Sequence, residues 1–411
     1  MTQRPSISIL LGAGFSVPMG YPVGDAMNKS VLNFDNNPVS FSPAGELCVG
    51  KDGIVPDFGY ENIYIRRFKL CKALIKKFSE IRAFDYEQFM DFIKSNEVYD
   101  SPYALILSQF EDSQNSAESL IGGLGDIYNQ MVDFLIKDID NCSWYENSST
   151  HIGLYLEKPW NSYNGFINFI KDAKKNYVIN IHTLNHDLLL EALTHNDSIN
   201  GDISDGFDDY GSRFYGKLRN CSSEDLTSGG SYRCRLERYT GRYYGKSIRL
   251  FKLHGSLDYV CFHKSLPNGS LIPFKEVKTR KHIGLLDLEV ENSKRNGYEN
   301  DISLYHADFL TGTTSKIAHY SNKTFYKKIF RKFKSNLHNS DALIIIGYGC
   351  KDEGINKIII ENFDPTKPSF IIDPCVETNQ AIKSLQTQLG AKAFPKKVDD
   401  ISSTWFDFIT D

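Results

Sequence analysis

The sequence predicts an α/β protein with a Rossmann-like parallel sheet that carries helices on both faces. Short apolar runs alternate with stretches of helical periodicity, most regularly after residue 320. Glycine, proline or polar clusters follow most apolar runs, as is typical where strands end. The 411 residues are 41% hydrophobic and 24% charged, which is ordinary for a globular protein with a sizeable core.

The first half of the chain holds two predicted strand–loop–helix units. Ser6–Leu11 reads as a buried strand that stops at the glycines of GAGFS, and GDAMNKSVLNF can follow as a helix. FINFIKDAKKN predicts a helix before the strand of YVINIHTLNHD, and DLLLEALTHN predicts the next helix. SIRLFKLHGSLDYV predicts another strand, and a long polar stretch then runs to about residue 320.

The C-terminal part alternates most clearly. TFYKKIFRKFKSNLHN, EGINKIIIENF and VETNQAIKSLQTQLG predict helices, and the strands DALIIIGYGC and PSFIIDP lie between them. Ligands of a parallel sheet bind beyond the carboxyl ends of its strands. We therefore expect the exits GAGFS, TLNHD, HGS, GYG and DP to meet in one crevice.

Two segments do not follow this alternation of strands and helices. Residues 60–140 predict a helical insertion, with Asp85 and Gln88 resembling a capping box. Residues 197–246 are rich in Gly, Ser, Asp, Tyr and Arg, and predict a small loop-rich module. We treat residues 1–411 as one domain that contains both.

Composition excludes several classes of protein. The net charge of −4 gives no global electrostatic case for nucleic acid. The N-terminus MTQRPSISILLGAGF does not resemble a secretory signal, and no apolar run approaches the ~20 residues of a membrane span. The eight cysteines include no CxxC pair, so we expect a reducing cytoplasm and no metal site.

The glycine turn GAGFS holds the first candidate site residues, Gly12, Ala13, Gly14 and Ser16. Glycines after a strand let the backbone approach a phosphate, although such a turn is also a common structural joint. Val17 occupies the position of the third glycine in the G-x-G-x-x-G fingerprint, which makes a classical nicotinamide oxidoreductase less favoured.

Three further exits carry candidate residues. Asn185 and Asp187 in TLNHD can be catalytic or can cap the next helix. His254 in KLHGS is a candidate for proton transfer or a structural histidine. Asp373 in FIIDP is a turn residue, or reaches an adenosine ribose.

These motifs together resemble the sirtuin (SIR2) family, which carries GAG-x-S, T-x-N-x-D and H-G in this order. The SIR2-like NAD-degrading proteins of bacterial antiphage defence are similar also in a late segment, G-Y-S-x-x-D-x-x-I-N. GYGCKDEGIN, from Gly347 to Asn356, matches this segment except that Gly349 replaces the serine.

The resemblance implies an NAD+ hydrolase that releases nicotinamide and ADP-ribose. Asn185 would orient the ribose and water, and His254 would act as general base. The NAD-binding residues implied are Gly12, Ala13, Gly14, Ser16, Asp187, Gly347, Gly349 and Asp373. Because Ser16 is assigned to the pyrophosphate, its loss is expected to raise KM more than to lower kcat.

Two other functions stay open. One is an NAD-dependent protein deacylase, although the paired CxxC zinc ligands of most deacetylating sirtuins are absent here. The other is a subunit that senses NAD or ADP-ribose without turnover. The resemblance also implies regulation by homo-oligomerisation or by a partner such as a HerA-type ATPase or an argonaute.

Two basic stretches have ordinary interpretations. The helix with Lys327, Lys328, Arg331, Lys332 and Lys334 has an apolar stripe of phenylalanines, which favours an amphipathic surface helix over a nucleic-acid site. The segment SYRCRLERYTGRYYGK mixes Arg and Tyr, and a domain cover or oligomer contact is at least as well supported as base stacking.

Overall fold

The structure is a computed structural model. It describes residues 4–34, 38–42, 45–50, 62–139, 142–146, 152–156, 161–195, 199, 203–208, 215–218, 232–235, 237–242, 244–265, 267, 271–278, 288–290, 301–303, 307–312 and 324–401.

The described residues form strands and helices that we number in chain order. The strands are β1 (Ser6–Leu11), β2 (Val39–Phe41), β3 (Leu47–Val49), β4 (Cys142–Glu146), β5 (Ile152–Leu156), β6 (Val178–Thr183), β7 (Ile203–Ser204), β8 (Phe207–Asp208), β9 (Tyr215–Leu218), β10 (Tyr232–Arg235), β11 (Glu237–Tyr239), β12 (Ile248–Lys252), β13 (Tyr259–Ser265), β14 (Leu271–Lys278), β15 (Leu288–Val290), β16 (Asp301–Ser303), β17 (Ala342–Ile346), β18 (Ser369–Ile372) and β19 (Lys392–Phe394). The α-helices are α1 (Gly24–Leu32), α2 (Ile63–Ile81), α3 (Tyr86–Lys94), α4 (Tyr103–Phe110), α5 (Ala117–Gly122), α6 (Leu124–Ile139), α7 (Asn164–Asn176), α8 (Leu189–His195), α9 (Thr324–Asn339), α10 (Glu353–Asn362) and α11 (Gln380–Leu389). None of the helices in the described part of the chain is long and apolar enough to cross a membrane.

The main sheet has seven strands in the order β19-β18-β17-β1-β6-β12-β7, and every neighbouring pair is parallel. The predicted fold class is thereby confirmed. β1 pairs with β17 on one side and with β6 on the other, so the chain reverses its direction across the sheet next to β1. Such a switch point is where parallel α/β sheets bind ligands.

Apolar side chains alternate between the two faces of the sheet. Ile7, Ile9 and Leu11 of β1 pack into one core with α7 and α8. Leu10 joins a second core with α9, α10 and α11. Because successive residues of a strand point to opposite faces, both cores form only when helices cover both faces.

A third core belongs to the segment between β1 and β6. Helices α1 to α6 bury their apolar faces against one another there, and Asp85 caps α3 by accepting the N–H groups of Glu87 and Gln88. Phe309, from a distant part of the chain, is buried in the same core. The helical segment therefore contacts a loop that also reaches the main sheet.

Antiparallel strands lie beside the main sheet. One antiparallel sheet has the strand order β16-β13-β14-β11-β8. β14 and β16 lie in the polar stretch before residue 320, for which the sequence indicated no elements, and β8 and β11 lie in residues 197–246. Most of residues 197–246 lie outside the described residues. Those that are described include the short strands β7 to β11.

Candidate active site

The glycine turn after β1 packs directly on the exit of β17. The Gly12 N–H donates to Ile346 O at 3.0 Å, and the Gly14 N–H donates to Gly347 O at 2.9 Å. A Cβ atom on Gly12 would lie 2.6 Å from Gly347 O, which no side chain tolerates. The close approach of two strand exits therefore requires glycine at position 12.

The same turn uses most of its own donors. The N–H groups of Phe15 and Ser16 donate to Gly12 O and Ala13 O, so four of the five N–H groups from Gly12 to Ser16 are bonded to backbone carbonyls. Ala13 is exposed, and its N–H donates to no acceptor within the described residues. The helix α1 begins only at Gly24. Of these five N–H groups, the one of Ala13 is thus available to donate to an anion.

Asn185 is anchored through its amide nitrogen. Its Nδ2 donates to Gly12 O at 2.9 Å and to Ser16 Oγ at 2.9 Å. Because Gly12 O only accepts hydrogen bonds, this contact fixes which end of the carboxamide carries nitrogen. Oδ1 accepts no hydrogen bond within the described part of the chain, and the half-buried side chain thus keeps an acceptor available to a ligand.

Asp187 completes this group. Its Oδ2 accepts a hydrogen bond from Ser16 Oγ at 2.7 Å, and its Oδ1 accepts the Leu189 N–H at the start of α8 at 3.0 Å. Helix capping therefore accounts for Oδ1 of Asp187 only, and Oδ2 binds Ser16. We call Ser16, Asn185 and Asp187 the Asn185 cluster; it joins the exits of β1 and β6.

His254 lies just beyond β12 and is 5% exposed. Its Nε2 lies 3.6 Å from Asp352 Oδ2, and the Asp352 side chain is 8% exposed. The other carboxylate oxygen of Asp352 caps α10 by accepting the Ile355 N–H at 3.0 Å. The cap holds the carboxylate in place, and burial makes it an effective partner for a protonated imidazole.

Asp352 was not among the site residues predicted from the sequence. It is the aspartate of GYGCKDEGIN, so the signal was present in the matched segment. The sequence predicts that the strand exits meet in one crevice, but it does not indicate which of them touch. The contact of Asp352 with His254 extends past β1 and β6, which separate β17 from β12 in the sheet.

A buried ion pair lies beneath the cluster. Lys252 is 1% exposed, its Nζ is 3.0 Å from Glu191 Oε1, and it also donates to the main-chain oxygen of Asp187. Burial alone would lower the pKa of Lys252, but the carboxylates of Glu191, Asp258 and Asp187 outweigh it and the pKa is raised. Burial also raises the pKa of Glu191. With several carboxylates around one ammonium, Lys252 stays charged and ties β12 to the loop of the Asn185 cluster.

The exits of β17 and β18 contact each other rather than the Asn185 cluster. Gly347 has a φ of 62°, and Gly349 O accepts a hydrogen bond from Asn379 Nδ2 at 3.2 Å. Asp373 is 8% exposed, and its Oδ1 accepts the Cys375 N–H at 2.8 Å, as the turn interpretation expects. Burial raises the pKa of Asp373. No contact joins Asp373 to Asn185 in the described part of the chain.

Potential metal ligands do not cluster in this region. Over the described residues, no group of three or more His, Cys, Asp or Glu side chains is arranged to hold a metal ion.

Comparisons with known proteins give a structural likeness only. No family model matches the chain, and no curated protein matches it. A Sir2 structure described under the mechanism and regulation of Sir2 enzymes is 10% identical with a TM-score of 0.36, over 99% of this chain and 93% of that one. A Sir2 homologue in complex with NAD is 9% identical with a TM-score of 0.35, over 99% and 90% of the two chains. Likeness at this level does not identify an activity.

Proposed function

We propose that this chain is an NAD+ hydrolase that cleaves NAD+ to nicotinamide and ADP-ribose. One observation carries the proposal: the Asn185 cluster and the pair of His254 with Asp352 lie at neighbouring carboxyl ends of one parallel sheet. The Asn185 amide oxygen accepts no hydrogen bond within the described residues, and His254 lies beside a buried carboxylate. Such groups are suited to positioning a nucleophile and removing its proton.

The reaction breaks the bond between C1′ of the ribose and the nicotinamide nitrogen. The bonding electrons neutralise the pyridinium, so nicotinamide leaves uncharged while C1′ gains oxocarbenium character. Asn185 Oδ1 accepts a hydrogen bond from the attacking water or from a ribose hydroxyl. His254 takes the proton as the water oxygen bonds to C1′, and Asp352 stabilises the resulting imidazolium.

We assign the pyrophosphate and the adenosine ribose of NAD+ to the remaining candidate residues. Ala13 supplies the N–H that faces the pyrophosphate, and Gly347 and Gly349 leave room beside it. Asp373 accepts a hydrogen bond from the adenosine ribose. The raised pKa of Asp373 reflects a desolvated carboxyl, which gains by bonding a hydroxyl donor.

The test is incubation of the purified full chain with NAD+, with and without an acetylated peptide, while nicotinamide and ADP-ribose are quantified. Asn185→Ala and His254→Ala are each expected to lower nicotinamide release by ~10²–10⁴-fold. Asn176→Ala and His338→Ala replace exposed residues of the same types on α7 and α9 and serve as controls.

The products distinguish the candidate functions. ADP-ribose formation without peptide supports the hydrolase. Nicotinamide release only with the acetylated peptide indicates a deacylase, and tight NAD+ binding without turnover indicates a sensing subunit. A melting curve for each variant separates lost chemistry from lost folding.

We further propose that the activity serves antiphage defence in the cytoplasm and is controlled by self-assembly or by a protein partner. The loop of residues 307–312 supports the proposed control by a partner. Leu310 N–H donates to His254 O at 2.8 Å, while Phe309 is buried in the core of the helical segment. A partner that binds the helical segment can therefore change the position of His254, the candidate base, through this loop.

Light scattering together with NAD+ turnover across a titration of a candidate partner, such as a HerA-type ATPase or an argonaute, tests this control. We expect a homo-oligomer with low basal turnover and saturable activation. A monomer with full turnover that no partner alters would contradict it.

A further inference from the structure

The basic helix and the Arg/Tyr segment form one surface. The Tyr239 ring packs edge-on against Phe325 at the start of α9, with centroids 4.7 Å apart. Lys332 Nζ lies 5.7 Å from the centre of the Tyr244 ring. These contacts place the cations of α9 beside those of β11 and of the residues that follow it. We define the basic face by five side chains: Arg238, Arg242, Lys328, Arg331 and Lys332.

Positive charge is concentrated on this face. Arg238, Arg242 and Arg331 are exposed, and Lys328 is half-buried among them. Burial first, and then the three arginines, lower the pKa of Lys328. The nearby acid Asp205 is already paired with Lys278. In the described part of the chain no carboxylate forms an ion pair with Lys328, Arg331 or Lys332. The cations of the basic face therefore repel one another, and a bound anion relieves this repulsion.

The arrangement of the cations suits a regular polyanion. Two further lysines of α9 outside the basic face, Lys327 and Lys334, are exposed together with Arg331, at intervals of four and three residues. At a rise of about 1.5 Å per residue they form a line of charge about 10 Å long. Nucleic acid offers an evenly spaced row of phosphates, and arginine binds phosphate with two parallel hydrogen bonds. An acidic protein surface has no such regular spacing.

The aromatic residues of this surface favour a duplex over a single strand. Every aromatic side chain that the structure describes in α9 and in residues 238–246 is buried, including Tyr239 at 5% and Tyr244 at 7% exposure. Binding of single strands relies on exposed rings on which bases stack. A duplex presents its phosphates and keeps its bases stacked internally.

We propose that the basic face binds the phosphate backbone of a nucleic acid duplex without reading its sequence. The net charge of the chain is −4, so the attraction is local to this face. The proposal does not depend on NAD+ chemistry, since its measurement is binding. It gives the two basic segments a common function that neither motif indicated alone.

Fluorescence anisotropy of a labelled, mixed-sequence DNA duplex of about 20 base pairs with the full chain tests the proposal between about 50 and 200 mM salt. Arg242→Glu/Arg331→Glu should weaken binding at least about tenfold. It should also lower the slope of log K against log salt concentration by about 2, for two lost phosphate contacts.

The matched control is Lys76→Glu/Lys171→Glu, which makes the same change in net charge on α2 and α7. We expect it to bind the duplex as wild type does. Equal loss in both double variants, or no loss in the first, overturns the proposal. Stronger binding of the unpaired strand, or displacement of the duplex by poly-glutamate at matched charge concentration, also overturns it. The second result would identify an acidic protein as the partner.

Discussion

His254 Nε2 lies 3.6 Å from Asp352 Oδ2, although β12 and β17, the strands that precede them, are separated in the sheet by β1 and β6. The two loops must therefore extend toward each other across the ends of the central strands. The contact places a buried carboxylate beside the candidate base.

Asp352→Asn removes the charge and keeps the helix cap, because asparagine caps as well as aspartate does. We expect kcat for nicotinamide release to fall about tenfold or more with little change in KM, since the imidazolium forms only as the reaction proceeds. Steady-state kinetics with NAD+ measure this. A change in KM alone would show that Asp352 binds substrate instead.

Glu353→Gln is the matched control for that substitution. Glu353 is the neighbouring exposed acid in the first turn of α10, and it is not in contact with His254 within the described residues. Its loss should leave turnover unchanged. Asp352→Ala, which also loses the cap, should cost about 1 kcal/mol more in unfolding free energy than Asp352→Asn.

Ser16→Ala tests two different assignments of one hydroxyl. Ser16 is 2% exposed, accepts from Asn185 Nδ2 and donates to Asp187 Oδ2. Because Asn185 Nδ2 would keep only its bond to Gly12 O within the described residues, we expect kcat to fall by about tenfold and by a larger factor than KM rises. A raised KM with unchanged kcat would instead support the pyrophosphate assignment that the sequence resemblance implies.

Local patterns were sufficient to predict most of the main sheet. β1, β6, β12, β17 and β18 are apolar runs that end in glycine or polar residues, so both the strands and their exits can be read from the sequence. β19 was not predicted, because an edge strand of three partly exposed residues has no apolar run. The predicted strand in SIRLFKLHGSLDYV covered only Tyr259 and Val260 of β13. β14 to β16 were missed because their short apolar runs, such as LIPF in β14, lie within the long polar stretch that indicated no elements.

The contacts between the exits could not be predicted in the same way. Gly12 is required by the backbone of Gly347, and Asp352 reaches His254 only because its loop crosses two strands. Both relationships join residues that lie far apart in the sequence, and they depend on the order of strands in the sheet. Sequence periodicity describes each element separately and contains no information on that order.

Lys252→Met tests the buried ion pair. Removing Lys252 takes its ammonium away from the buried carboxylate of Glu191, and we expect a loss of about 3–5 kcal/mol in unfolding free energy. Lys252→Met/Glu191→Met replaces both charges with apolar chains and should recover most of that stability. Urea unfolding measures both. Nicotinamide release should stay low in the double variant, because the bond from Lys252 to Asp187 O is still absent. Full recovery of turnover would show that the pair only stabilises the fold.

His182 on β6 predicts a dependence of stability on pH. It is fully buried between Phe251 and Phe333, and burial lowers its pKa from 6.5 to about 3. His182 stays neutral in the folded state but binds a proton in the unfolded state. The free energy of unfolding is therefore highest above pH 6.5 and decreases as the pH falls from 6.5 toward 3. His182→Leu should remove up to about 1.4 kcal/mol of this loss per pH unit, measured by urea unfolding at several pH values. His338→Leu, an exposed control on α9, should keep the wild-type slope. Equal slopes for wild type and His182→Leu would show that His182 does not titrate in this range.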